Sequence, residues 1–151
     1  MIVIIKGGLI FVVTEILLLK NSLKISDILP DLELFTNHHM TAEAYGNLIT
    51  EDVVHEYPYA PVPFANRVEG RDAVMAHLVN VTRLASNWNF TDITFSATSD
   101  PNTIFVEFEG GGLVTATGKA YHQIYSARLT MRGEQIAHYR EFFNPVLLLY
   151  L

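Results

Sequence analysis

A chain of 151 residues, half of them apolar and 17% charged, is long enough to bury its own core and too apolar to be a disordered tail. Its net charge of −6 and its lack of any Lys or Arg run exclude a phosphate-reading surface, so nucleic acid is not an expected partner. Without cysteine there is no disulfide, thiolate nucleophile or Cys-ligated metal, a pattern that fits a cytoplasmic protein.

Residues 1–25 read as an apolar N-terminal extension. Lys6, Gly7, Gly8 and Glu15 interrupt it, so it falls short of the roughly 18 unbroken apolar residues of a membrane span. Leu18-Leu19-Lys20-Asn21-Ser22 offers no small-residue cleavage site. We expect this segment to pack as an extra strand or helix on the domain or a partner, not to enter a membrane. Ser26-Asp27 and Pro30 then mark a helix start, with Ile28, Leu32 and Phe35 at helical spacing. After Asn37-His38-His39, Thr41 can cap a second short helix striped by Ala44, Tyr45, Leu48 and Ile49.

Beyond Glu51-Asp52 the period changes to two: Val53 and His55 share one side, Val54 and Glu56 the other, as in a strand. Pro58, Pro61 and Pro63 end it in an extended loop poor in backbone donors. Glu69-Gly70-Arg71-Asp72 turns into a third helix whose inner face carries Val74, His77, Leu78, Val81 and Ala85, with Met75, Asn80 and Thr82 elsewhere. From residue 88 strands follow one another. Trp88, Phe90 and Ile93 begin the first; Thr103 to Glu109 alternates in the second, and Gly110-Gly111-Gly112 predicts a bend or bulge. Val114 to Leu129 holds a long strand broken near Gly118, and Arg132-Gly133-Glu134 is a hairpin turn before a last strand over 135–143. Helices followed by consecutive hairpin strands predict an α+β domain with an antiparallel sheet, spanning 26–151.

This order of elements resembles the SnoaL-like and ketosteroid isomerase-like branch of the nuclear transport factor 2-like superfamily. The residues that carry the likeness are Glu51-Asp52-Val53-Val54, Val68-Glu69-Gly70-Arg71-Asp72, Gly133-Glu134-Gln135-Ile136 and Tyr139-Arg140-Glu141-Phe142-Phe143-Asn144-Pro145. The second half is most similar to the phenazine-biosynthesis A/B proteins, through Gly70-Arg71-Asp72 with His77 downstream, Asp100-Pro101-Asn102, Phe105-Val106-Glu107 and Arg140-Glu141-Phe142 before Asn144. The resemblance implies a cystatin-like fold: a curved sheet and two or three helices around a conical pocket. It also implies that a histidine on the third helix and a glutamate on the last strand are acid/base groups, positions held here by His77 and Glu141. The family's arginine on the second helix has no counterpart near Ala44-Tyr45, and Val81 stands in place of a serine one turn beyond the histidine.

Each candidate also has a plainer reading. His77 lies on an apolar stripe, where burial lowers a histidine's pKa and a nearby carboxylate raises it; alternatively it is a core histidine bonded to a backbone carbonyl. Glu141 shares a strand face with Tyr139 and Phe143, where desolvation would raise its pKa; alternatively it forms a surface ion pair with Arg128 or Arg140. Tyr45, Tyr57, Tyr59, Phe64, Val81, Trp88, Phe90, Phe105, Tyr121, Tyr125, Tyr139 and Phe143 could wall a pocket for a flat ring, or be ordinary core. Glu107 and Glu109 read as a solvated face, and His38-His39 with Glu43 lacks metalloprotease spacing. No metal or cofactor is indicated.

The expectation is therefore a cofactor-independent enzyme acting by proton transfer on a small apolar or aromatic cyclic carbonyl or imine compound: an isomerase, cyclase, dehydratase or condensing enzyme. The alternative is a non-catalytic ligand-binding or dimerisation domain of the same fold. The resemblance also implies pairing through the exposed sheet face, so a homodimer is expected, with the apolar N-terminal segment and the Val146–Leu151 tail extending the interface.

Overall fold

The computed structural model describes residues 42–150 together with two short stretches, Ile5–Lys6 (β1) and His39–Met40 (β2), which pair antiparallel. The remainder of the apolar extension, the helix expected from Ser26, and His38 lie outside the described residues. α1 (Ala42–Leu48) leads directly into β3 (Ile49–Glu56); after a loop come β4 (Arg67–Glu69) and α2 (Arg71–Thr82). Four long segments follow: β5 (Ala85–Ala97), β6 (Thr103–Val114), β7 (Ala120–Arg132) and β8 (Gln135–Phe143), then a 3-10 helix over Pro145–Tyr150. Among the described residues no helix is long and apolar enough to cross a membrane.

The sheet runs β4-β3-β8-β7-β6-β5. Neighbours are antiparallel except β3 and β8, which pair in parallel with His55 opposite Tyr139. The fold is α+β as expected, but the sheet is mixed. Periodicity tells which residues share a face, not the direction in which two distant strands meet. Gly70, at φ +85°, takes a backbone angle that other residues resist, and so turns β4 into α2. β4 has no sequence signal of its own: it is three residues long, and its last, Glu69, belongs to the turn read before the third helix.

The triple glycine is not a bulge. Gly110, Gly111 and Gly112 pair in unbroken register with Gln123, His122 and Tyr121. The irregularities lie across from them on β5, where the register shifts at Ser86/Asn89 and Thr91/Thr94, and Asn87 and Asp92 sit at φ 54°. The glycines serve close approach instead: a Cβ on Gly110 would stand 2.7 Å from two carbons of the Phe90 ring. Ala85, expected on the third helix, begins β5.

One core joins sheet and helices. Val53, Ile136, Leu129 and Ala127 from the sheet are fully buried with Val74 of α2, and Tyr45 of α1 closes the cluster. Each large aliphatic side chain here contributes about 1.5–3 kcal/mol by leaving water.

Candidate functional site

Between the helices and the inner sheet face lies a cavity of about 190 Å³. Strand alternation decides what reaches it. On β8, Tyr139, Glu141 and Phe143 point inward, and on β7 so do Tyr121 and Tyr125. β6 offers Val106 and Phe108, and the bulged β5 brings Trp88, Phe90 and Ile93. The helical period of α2 presents His77, Leu78, Val81 and Thr82 from above. Tyr45, Tyr57 and Phe64 complete the wall on the β3 side, and Leu148 of the 3-10 helix reaches it from the tail. Two ring pairs stack within this wall, Trp88 on Phe90 at 5.9 Å and Phe108 on Tyr125 at 4.8 Å between centroids.

Among the described residues, Glu141 is the one carboxyl lining the cavity. Its cross-strand neighbour on β7 is Ala127, whose single methyl leaves the carboxyl room. The Tyr139 hydroxyl donates a hydrogen bond to Glu141 Oε2. Burial destabilises the ionised form and lifts the pKa to about 7, against the opposing pull of that hydrogen bond. The surface ion pair open to Glu141 on sequence grounds does not form: Arg140 alternates to the outer face, 3.7 Å from Glu56 and over the Phe142 ring. Arg128 stands opposite Arg140 on that same outer face.

His77 packs its ring on Tyr57, centroids 5.2 Å apart, and burial holds its pKa below the usual 6.5. The compensating carboxylate expected beside it does not act; desolvation alone governs His77. A second histidine, His55, escaped the choice of site residues although its placement beside Val53 was legible. It is 1% exposed, with Nδ1 3.1 Å from the Tyr57 hydroxyl and Nε2 3.4 Å from that of Tyr45. Desolvation, with like-charge opposition from His77 and His138, pushes its pKa down to about 3. The ring is therefore neutral, with one donor and one acceptor nitrogen. One tyrosine must donate to it and the other accept from it, so one of the two phenols keeps its own proton free. Burial raises the pKa of Tyr45, Tyr57, Tyr125 and Tyr139 above 10, so all remain donors at neutral pH. At the opposite side, Tyr121 and Tyr125 place their hydroxyls 3.3 Å apart, and Gln123 donates to Tyr121.

Two expected wall residues lie elsewhere. Phe105 sits between inward Ile104 and Val106, so the two-residue period turns it to the outer face, 38% exposed. Tyr59 is 58% exposed on the loop after β3 and packs against Phe142, outside the cavity. Glu107 and Glu109 also face outward, the latter 2.8 Å from His122. Among the described residues, no three His, Asp or Glu side chains converge as metal ligands would. Besides His55, the lining residues that sequence reasoning did not single out are small or aliphatic, apart from Thr82 and Phe108.

Comparison with known proteins agrees with this architecture. The profile of the SnoaL-like domain matches residues 32–139. An uncharacterised PhzA/B-like protein of Pseudomonas aeruginosa is 37% identical over 108 residues, covering 70% of this chain and 74% of its own. The crystal structure of an isomerase candidate from Bacillus subtilis superposes with a TM-score of 0.65 at 31% identity, over 70% of this chain and 76% of that one. A nuclear transport factor 2-like protein of Burkholderia xenovorans shares the fold at a TM-score of 0.60 and 18% identity, over 72% and 81% of the two chains. The chain thus belongs to the SnoaL-like domain family of the nuclear transport factor 2-like fold.

Proposed function

We propose that the protein is a cofactor-independent enzyme that moves a proton beside a carbonyl or imine of a small cyclic compound. The observation that carries this reading is a buried carboxyl, lifted to a pKa of about 7, in a cavity lined by aromatic rings. A base with a pKa near the working pH is both ionised often enough and basic enough to abstract a proton. Glu141 takes the proton from carbon and returns it elsewhere on the substrate. The free phenol of the Tyr45–His55–Tyr57 chain donates to the developing oxyanion or to a nitrogen, while Tyr139, whose one O–H proton goes to Glu141, holds that carboxyl in place. The stacked rings hold the substrate flat and keep water out. Neutral His77, at the far side of Tyr57, serves as the second proton carrier. The likeness to the Bacillus isomerase candidate is in keeping with isomerisation.

The test is proton abstraction from a generic carbon acid. With 5-nitrobenzisoxazole, whose C–H proton is removed as its N–O bond breaks, the wild-type rate should rise with pH through about 7. Glu141→Gln should lower it roughly a hundredfold or more, and His77→Ala should slow exchange of deuterium into cyclic ketones and imines by a similar factor. Near-wild-type rates in both variants would discard the mechanism and leave a binding domain. We further propose a homodimer through the outer sheet face, where Phe105 and Ile124 are exposed at 38% and 63%. A monomer in gel filtration at micromolar concentration would count against it.

A further inference from the structure

We infer that the cavity selects a cation: a flat ring bearing a protonated or quaternary nitrogen, seated with its charge against Glu141. This rests on the cavity being the substrate site and narrows the carbonyl-or-imine class to its basic nitrogen member.

Three observations carry it. Among the described residues the lining contains one carboxyl and neither lysine nor arginine, so none of them can balance an anion. The arginines nearest in sequence to the inward strand residues, Arg128 and Arg140, alternate to the outer face, where Glu56 lies 3.7 Å from Arg140. Aromatic rings share the rest of the lining with aliphatic side chains, and the negative face of a ring quadrupole attracts cations and repels anions.

The groups around Glu141 do not upset this balance. From its own strand comes Tyr139, from β7 Tyr121 and Tyr125, and from α1 Tyr45, all with pKa values raised above 10 by burial. From the β3 side come Tyr57, also raised, and His55, and from α2 His77; both histidines stay uncharged at neutral pH. Between the histidine range and the tyrosine range, Glu141 is the one lining group among the described residues that changes charge. A bound cation favours its ionised form, so cation binding should release a proton.

The full chain carries its own reporter, because Trp88 is its sole tryptophan and lines the cavity. We would titrate its fluorescence with three probes of similar shape: benzyltrimethylammonium, its uncharged carbon analogue neopentylbenzene, and phenylacetate. At a pH about one unit above the Glu141 pKa, the cation should bind about tenfold or more tighter than the neutral probe, and phenylacetate about tenfold or more weaker. The first ratio should grow as pH rises from about 6 to 8, since the ammonium itself does not titrate. Glu141→Gln, which keeps an acceptor for Tyr139, should bring the cation and the neutral probe within about threefold of each other. A cation bound no better than neopentylbenzene, or a preference unchanged in Glu141→Gln, overturns the inference while leaving proton transfer standing. Failure of all three probes to bind overturns the cavity itself, and with it both proposals.

Discussion

A carboxyl held uncharged-prone inside a protein must make the fold sensitive to pH, and Glu141 gives this a magnitude. Its pKa is about 7 in the folded chain and 4.5 in its ordinary state. At about 1.4 kcal/mol for each tenfold in proton affinity, the gap corresponds to about 3 kcal/mol. The folded state binds more protons than the unfolded state between these values. Stability is therefore fully present below pH 4.5, falls as pH rises, and levels off above about 7. Glu141→Gln removes the titration while preserving shape and the acceptor for Tyr139. Urea unfolding of both proteins at intervals from about pH 4 to 8 isolates the effect, because other titrating groups cancel in the difference. The variant should become the more stable protein at the alkaline end by about 2–4 kcal/mol relative to its standing at the acid end. A difference that stays constant over this range would refute the claim that Glu141 is desolvated, and the general-base assignment would lose its footing.

Two further perturbations probe the wall. His55→Phe should lower unfolding free energy by about 2 kcal/mol, because two buried tyrosine hydroxyls lose their shared partner; a loss of only a few tenths in urea unfolding would mean that they are hydrated. Gly110→Ala places a methyl 2.7 Å from the Phe90 ring and 3.0 Å from Tyr125, so it should drive both rings into the cavity, cost about 1–3 kcal/mol and weaken neopentylbenzene binding. Unchanged affinity in that variant would show that the rings have room to move elsewhere.

How far the sequence could be read depended on which signal each residue carried. The inward face of β8 was visible as Tyr139, Glu141 and Phe143 at two-residue spacing. The opposite set of Ile136, His138, Arg140 and Phe142 looked equally plausible, and a bulge between Thr130 and Met131 shifts the register so that Ile136 is buried too. His55 was placed beside Val53 by the same rule, but its flanking by Val54 and Glu56 disguised how deeply it is buried. Phe105 is aromatic like the wall residues, but the alternation that Ile104 and Val106 impose turns it outward. Three consecutive glycines on β6 are the stronger local signal for a bulge, while the irregularities lie at Asn87 and Asp92 of β5, polar residues that tolerate left-handed backbone angles. The parallel union of β3 and β8 had no local trace at all, since it arises from packing between distant segments.

That union also orders events during synthesis on the ribosome. Ile49 must wait for Ile136, and His55 for Tyr139, before the middle of the sheet can exist. The β5–β6–β7 meander can zip as it emerges, whereas β3 has only the short β4 beside it until β8 is made. Closure over such a long loop is slow in proportion to the entropy it must overcome. The strand that completes the sheet is also the one that delivers Glu141, so a nascent chain gains its buried carboxyl only once the middle of the sheet can form.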